Sequence, residues 1–241
     1  MSNALITAVD SMQNDMRMME TLSQNMVNIT TPGYRRMQPA APAFAQALAA
    51  AQPGAEARPA TTPSMASVDL THGAVKPTGR DWDLAIDGDG YFELATPGGL
   101  AYTRAGDFAL DARGRLVSAA GFPVQGMQGD IVLDGPAATI ARDGRITQDG
   151  REVAQLRIVR FADAKALQPG ATGALQPLAG AAGETDTRSQ LLTGHLEASN
   201  VAPMREMVAL MQTTRHFEAA QKLYQGYDEM LGSAIQKLGQ F

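Results

Sequence analysis

The sequence contains no cysteine. No disulfide framework, Cys-ligated zinc or iron–sulfur centre, or thiol nucleophile can be built from it. The compartment stays open, because a Cys-free chain is stable in reducing and oxidising surroundings alike. Aromatic residues are only 5%, with a single Trp, and charged residues only 19%, which excludes a highly charged disordered chain. A basic surplus is also lacking: twenty Lys and Arg face twenty-five Asp and Glu, for a net charge of −5. A sequence-independent grip on nucleic acid or anionic lipid needs the opposite sign, so no nucleic-acid partner is expected. Long apolar runs are missing too. The richest stretch, Ala40 to Ala51, is mostly Ala and carries Pro42 and Gln46, whereas a membrane helix needs about 18–20 apolar residues. No membrane insertion is expected. Met1 to Ile6 lacks a basic n-region, so no cleaved secretory signal is expected either. Any passage out of the cytoplasm must use another route.

What is plentiful is Gly (24), Pro (13) and Met (13). The methionines are placed unevenly: residues 1–38 hold seven and residues 195–241 hold four. Near the start, Leu5, Val9, Met12, Met16, Met19, Ser23 and Met26 recur in steps of four and three, the seam of a coiled-coil-like helix. Thr30-Thr31-Pro32-Gly33 should stop it: Pro32 presets φ for the first central position of a turn, and Gly33 accepts the positive φ a type II turn requires next. Towards the end, Phe217, Ala220, Tyr224, Tyr227, Leu231, Ala234, Leu238 and Phe241 repeat the same spacing. Ser199 or Asn200 is the expected N-cap, with Pro203 in the first turn and Glu206 near the positive end of the dipole. A helix over 200–238 would be roughly 58 Å long. A second stripe, Val201, Met204, Val208 and Met211, lies on a neighbouring face, with Leu223 and Met230 also off the seam. Two helices packed on each other bury one seam each, so this stripe should meet other copies or partners. Flexible, polarizable Met suits such contacts. A calmodulin-like or membrane-surface role is less apt, since the helices lack a basic polar face.

Residues 39–60 hold eleven Ala and four Pro, side chains too small for a core and too Pro-interrupted for a helix. The centre is punctuated by Asp87-Gly88, Asp89-Gly90, Pro97-Gly98-Gly99, Arg113-Gly114, Asp143-Gly144 and Asp149-Gly150, a hairpin rhythm. Strands are expected at Leu84 to Ile86, Tyr91 to Leu94, Phe108 to Leu110, Ile131 to Leu133 and Val153 to Phe161. In the last, Ala154, Leu156 and Ile158 share a face opposite Gln155 and Arg157, as in a sheet with one wet side. The expected class is α+β: long N- and C-terminal helices forming a coiled-coil layer, plus a central, mainly antiparallel β domain. The expected division is a helical assembly domain of 1–38 and 195–241, a linker arm of 39–67, the β domain of 68–162, and a partly β connector of 163–194.

Catalytic constellations are scarce. His72, His195 and His216 are far apart and match no HxxxH or HExxH pattern, so no transition-metal site is expected. Asp81, Asp83, Asp87 and Asp89 invite a calcium reading, but Ala85 takes the third acid position of the loop pattern. A carboxylate pair for glycoside cleavage could be drawn from these acids, as from many hairpins. Asn28-Ile29-Thr30 matches a glycosylation pattern but sits where helix-end capping is the better reading. No catalytic residue, cofactor or metal is expected.

Four blocks then stand out in order. Asn25-Met26-Val27-Asn28-Ile29-Thr30-Thr31-Pro32-Gly33-Tyr34-Arg35 is similar to the N-terminal signature of bacterial flagellar rod and hook proteins. Thr78-Gly79 with Asp83-Leu84-Ala85-Ile86-Asp87-Gly88-Asp89-Gly90-Tyr91-Phe92 resembles that family's central block. Tyr102-Thr103-Arg104-Ala105-Gly106-Asp107-Phe108 and Gly121-Phe122-Pro123-Val124-Gln125-Gly126 continue it. Leu196-Glu197-Ala198-Ser199-Asn200-Val201, with Glu206-Met207-Val208 and Phe217-Glu218, resembles the C-terminal signature. Val27, Pro32, Trp82 and Pro203 depart from the usual residues. The length and the single β domain resemble a rod subunit, proximal or distal, and the ending from Asp228 to Gly239 leans towards the proximal kind.

The resemblance implies a structural, non-enzymatic subunit of the basal-body rod in the periplasm. Such subunits are exported without a cleaved signal by the type III apparatus and stack with copies of themselves and with other rod and hook-basal-body axial proteins. The shaft they build is hollow and carries motor torque to the hook. The implied assembly interface comprises Leu5, Val9, Met12, Met16, Met19, Met26, Asn28, Gly33, Tyr34, Asn200, Met204, Val208, Met211, Phe217, Tyr224, Tyr227, Leu231 and Leu238. An alternative from another class is a periplasmic wall hydrolase with a helical stalk.

Overall fold

Turn chemistry and period-two patterning decide most of this chain. A computed structural model describes residues 2–38, 67–135, 137–163, 166–170, 173–178, 181 and 183–238. Most of the expected arm of 39–67 therefore lies outside the described residues, as do parts of the 163–194 connector. Two compact units are present: Met1–Val27 with Ala202–Phe241, and Asn28–Val201.

In the second unit every strand pairing among the described residues is antiparallel. The largest sheet has six strands in the order Leu167–Pro169, Leu175–Pro177, Gly99–Thr103, Tyr91–Thr96, Ile158–Phe161 and Gly183–Thr185. Its centre is the hairpin of Tyr91–Thr96 and Gly99–Thr103, with Phe92 opposite Thr103 and Leu94 opposite Ala101. A three-stranded sheet contains the hairpin of Arg145–Gln148 and Arg151–Gln155, closed by Asp149-Gly150. Both loop residues have positive φ, 50° and 74°, the requirement of a type I′ turn. The main core gathers Leu84, Phe92, Leu116, Val124, Ile131, Ile146, Leu156 and Leu191, all nearly inaccessible. Phe92 meets Phe108 edge to face at 5.0 Å between ring centres. A smaller core forms around Tyr91, Tyr102, Val159, Phe161, Leu167 and Leu175.

Several expected strands shift. Leu84–Asp87 and Tyr91–Thr96 form where the pattern predicts, while Ile131 to Leu133 contributes only an isolated bridge between Val132 and Arg115. Val153 to Phe161 breaks in two. Leu156 N–H donates to the Gly144 carbonyl and Arg157 N–H to that of Gln125, so the run changes partners between Arg151–Gln155 and Ile158–Phe161.

The first unit holds the two helices, α1 (Ser2–Val27) and α2 (Pro203–Leu238). The expected class, an α+β coiled-coil layer of long terminal helices plus a central β domain, is corrected here. The described residues form two helices and nineteen strands in seven antiparallel sheets, which run from Met37 to Glu197 rather than filling a central 68–162 block. Nor do the helices pair through a heptad seam. On α1, Val9 and Met16 are 40% and 50% exposed, and on α2 Tyr224 is 44% exposed. Among the described side chains, the buried positions are Leu22 and Asn25 on α1 and Glu206, Thr213 and Ala220 on α2, all but Leu22 polar or small. The physical reason is that three-four spacing makes a stripe on any helix and does not specify what fills it.

Candidate functional site

The sequence-predicted interface residues fall into two places. The helices carry most of them. α1 and α2 run antiparallel: Asn25 Nδ2 donates to Glu206 Oε2 at 3.2 Å, Thr214 Oγ1 to Met19 Sδ at 3.8 Å, and His216 Nδ1 lies 2.7 Å from Asp15 Oδ2. Met12, Met19 and Met26 on α1, with Phe217 and Tyr227 on α2, are half-buried. Leu5, Leu231 and Leu238 lie on the same two helices. The second stripe is left open: Met204 is 74% exposed, Val208 45% and Met211 52%. Leu223 and Met230 are likewise exposed. Val201, which the spacing places on that stripe, is instead buried and precedes the helix.

The start of α2 differs from expectation. Ala202 receives the first intrahelical bonds, from Arg205 N–H at 3.0 Å and Glu206 N–H at 3.1 Å, and Pro203 occupies the first helical position, where its missing N–H costs nothing. Asn200 is not the cap. Its side chain instead ties two strands of chain together: Oδ1 accepts from Arg36 N–H at 2.6 Å, and Nδ2 donates to the Asp69 and Thr71 carbonyls, each at 2.9 Å. Asp69 supports the same knot, accepting from Thr71 N–H and Oγ1.

Asn28, Gly33, Tyr34 and Asn200 belong to this second place, the clamp where the β unit's first and last segments lie side by side. Asn28 follows the end of α1, and its side chain accepts from Thr31 Oγ1 at 3.0 Å. Pro32 and Gly33 form the type II turn, with Tyr34 N–H on the Thr31 carbonyl and φ of +65° at Gly33. Gly33 N–H donates to the Glu197 carbonyl at 2.7 Å, and a Cβ on Gly33 would stand 2.1 Å from the backbone nitrogen of Ala105. Only glycine fits this crossing. Tyr34 is buried and accepts from Asn200 N–H through its carbonyl.

Beneath the clamp lies a charged cluster that spacing did not disclose. Glu197 is 1% exposed and sits between two arginines, Arg35 Nη1 at 2.7 Å and Arg104 Nη1 at 3.4 Å. Its Oε1 also accepts from Gly73 N–H at 2.9 Å. Arg35 donates to the Thr71 carbonyl at 2.9 Å, and Arg104 donates to the Ile86 carbonyl at 3.0 Å and to that of Gly88. The Arg104 guanidinium stands 5.2 Å from the Tyr91 ring centre. Burial lowers the Arg104 pKa, Glu197 opposes that shift, and Arg35 adds to it. All three residues occur in the quoted blocks; nothing in a single sequence signals that they meet.

The acids considered for chemistry do not converge. Asp83 is buried and held by Arg80 through bonds of 2.6 and 2.9 Å. Asp87 and Asp89 are exposed, the latter 3.3 Å from His72. His195 and His216 face Thr193 and Asp15 respectively. Among the described residues no helix is long and apolar enough to cross a membrane, and no group of three or more His, Asp or Glu could hold a metal ion.

A two-helix unit with an open methionine face and a β unit whose two ends are clamped together describe a structural subunit. Two family profiles match this chain: "Flagellar hook protein FlgE/F/G D1 domain" over residues 85–151 and "Flagellar basal body rod FlgEFG protein C-terminal" over residues 192–237. The chain is similar along its whole length to the flagellar basal-body rod protein FlgF of Caulobacter vibrioides, 30% identical over 249 residues and 99% of each chain. It is also 31% identical to FlgG of Bacillus subtilis over 272 residues, 98% of each, and 32% identical to FlgF of Rhizobium meliloti over 243 residues, 99% of each. The chain belongs to the flagellar basal-body rod protein family.

Proposed function

We propose that this chain is a structural subunit of the flagellar basal-body rod that assembles through its two helices. α1 and α2 then serve assembly, and the β unit, Asn28–Val201, serves as the body they carry. The observation that carries the reading is the open face of α2, where Met204, Val208, Met211, Leu223 and Met230 remain exposed in a family member. Burying such side chains against neighbours stabilises by about 25 cal/mol per Å² of apolar surface. Partners of matching chemistry are other copies of this chain and other axial proteins of the hook–basal body, with the type III export apparatus met on the way. The role is mechanical: a shaft that carries torque needs many shallow, repeated contacts, not a reaction centre. We place the chain in the proximal rod, on its ending from Asp228 to Gly239. The wall-hydrolase alternative is not favoured, because its candidate acids are scattered or neutralised.

Because Met204 and Met211 are exposed in the single chain, Met204→Asp and Met211→Asp should leave its own stability within about 0.5 kcal/mol. Each should abolish rod incorporation and motility, because assembly would bury an unpaired charge. Normal motility and normal basal bodies in both variants would overturn the proposal. A peptidoglycan turbidity assay with the purified chain should show no clearing; clearing that is lost on replacing Asp81, Asp83, Asp87 and Asp89 with Ala would favour the hydrolase.

A further inference from the structure

The clamp's buried cluster does not balance. Arg35 and Arg104 are 4% and 2% exposed, and the one buried acid between them is Glu197. Arginine keeps its proton at any physiological pH, so the cluster carries a surplus positive charge out of water, a costly arrangement unless paired. The Tyr91 ring face offsets part of it. Hydrogen bonding shows the same deficit: Nε and Nη2 of Arg35 and Nε of Arg104 are buried and have no acceptor. Beside them is a cavity of about 20 Å³. Its lining includes Gly33, Tyr34, Arg35, Tyr102, Arg104 and Leu175. That volume holds one water-sized occupant.

We propose that this cavity is a binding site for a single small monatomic anion, chloride under ordinary conditions. A water molecule would accept hydrogen bonds from the unpaired donors but leave the surplus charge in place. A halide accepts from several N–H groups at once and neutralises the cluster. Larger anions such as gluconate or sulfate exceed the space. The ion sits where the β unit's first segment, Gly33 to Arg35, meets the chain at Tyr102 to Arg104 and Leu175, so its binding would tighten that junction.

The test uses the full chain, with thermal unfolding followed at constant ionic strength. Chloride and bromide should raise the melting temperature by a few degrees over gluconate, saturating with concentration as a ligand of the native state does. Arg35→Gln, which leaves Arg104 and Glu197 balanced, should lose that increment. Should this variant fail to fold, crystals of the unaltered chain grown in bromide decide the matter. An anomalous peak between Arg35 and Arg104 is expected. Identical melting in all three salts, or a solvent oxygen with no anomalous signal at that position, would overturn the proposal.

Discussion

Gly33 shows how far single positions could be interpreted from sequence. The Pro32-Gly33 pair was legible as a type II turn because proline and glycine fix their dihedrals locally. Its second constraint was not legible, because Ala105 lies seventy-two residues away and meets it only after folding. Gly33→Val therefore violates two conditions at once, a positive φ and a backbone contact. It should lower the stability of the β unit by about 2 kcal/mol or more, measured by urea unfolding. Glu197 was visible only as a letter in a resembling block, since buried ion pairing has no spacing signature. Glu197→Gln would strand two buried guanidinium groups and should cost about 3–5 kcal/mol by the same measurement. Asp69 adds a dependence on acid. Burial pushes its pKa up, but the Thr71 hydroxyl and amide bonds outweigh it and hold the carboxyl below the usual range. A depressed native pKa gives stability that is fully present above about pH 4 and is lost as pH falls through the native value. The gap in melting temperature between the unaltered chain and Asp69→Asn should accordingly narrow from pH 5 to pH 2.

At the scale of elements, boundaries set by turns were the most legible. Asp149-Gly150 marks a hairpin because both residues tolerate positive φ, and the strands on either side follow. Val153 to Phe161 was misread as one strand because alternation reports the face of a residue and not its pairing partner. The helices show the same limit. Their positions follow from the apolar spacing, yet the contact between them also uses the buried polar pair Asn25 and Glu206, which a hydrophobic seam does not pick out. Asn200 looked like a cap because its type and position suit one, but its side chain is occupied by Arg36, Asp69 and Thr71. Phe217 is half-buried on α2, so Phe217→Asp differs in kind from Met211→Asp. It should loosen the helix pair in the single chain, seen as faster amide exchange in α1 and α2, while exchange in the core strands around Phe92 stays unchanged.

For the molecule as a whole, the missing cysteines and the clustered methionines prove to be complementary. The methionines of α2 mark an apolar face that the single chain does not cover, and the absence of Cys makes a lone introduced thiol a background-free probe. The central claim is that this face becomes buried between subunits of the rod. Met211→Cys tests it most directly, by comparing maleimide labelling of the purified single chain with labelling of the same chain in isolated basal bodies. Fast labelling in the single chain and at least tenfold slower labelling in the assembled rod are expected; equal rates in the two would contradict the account.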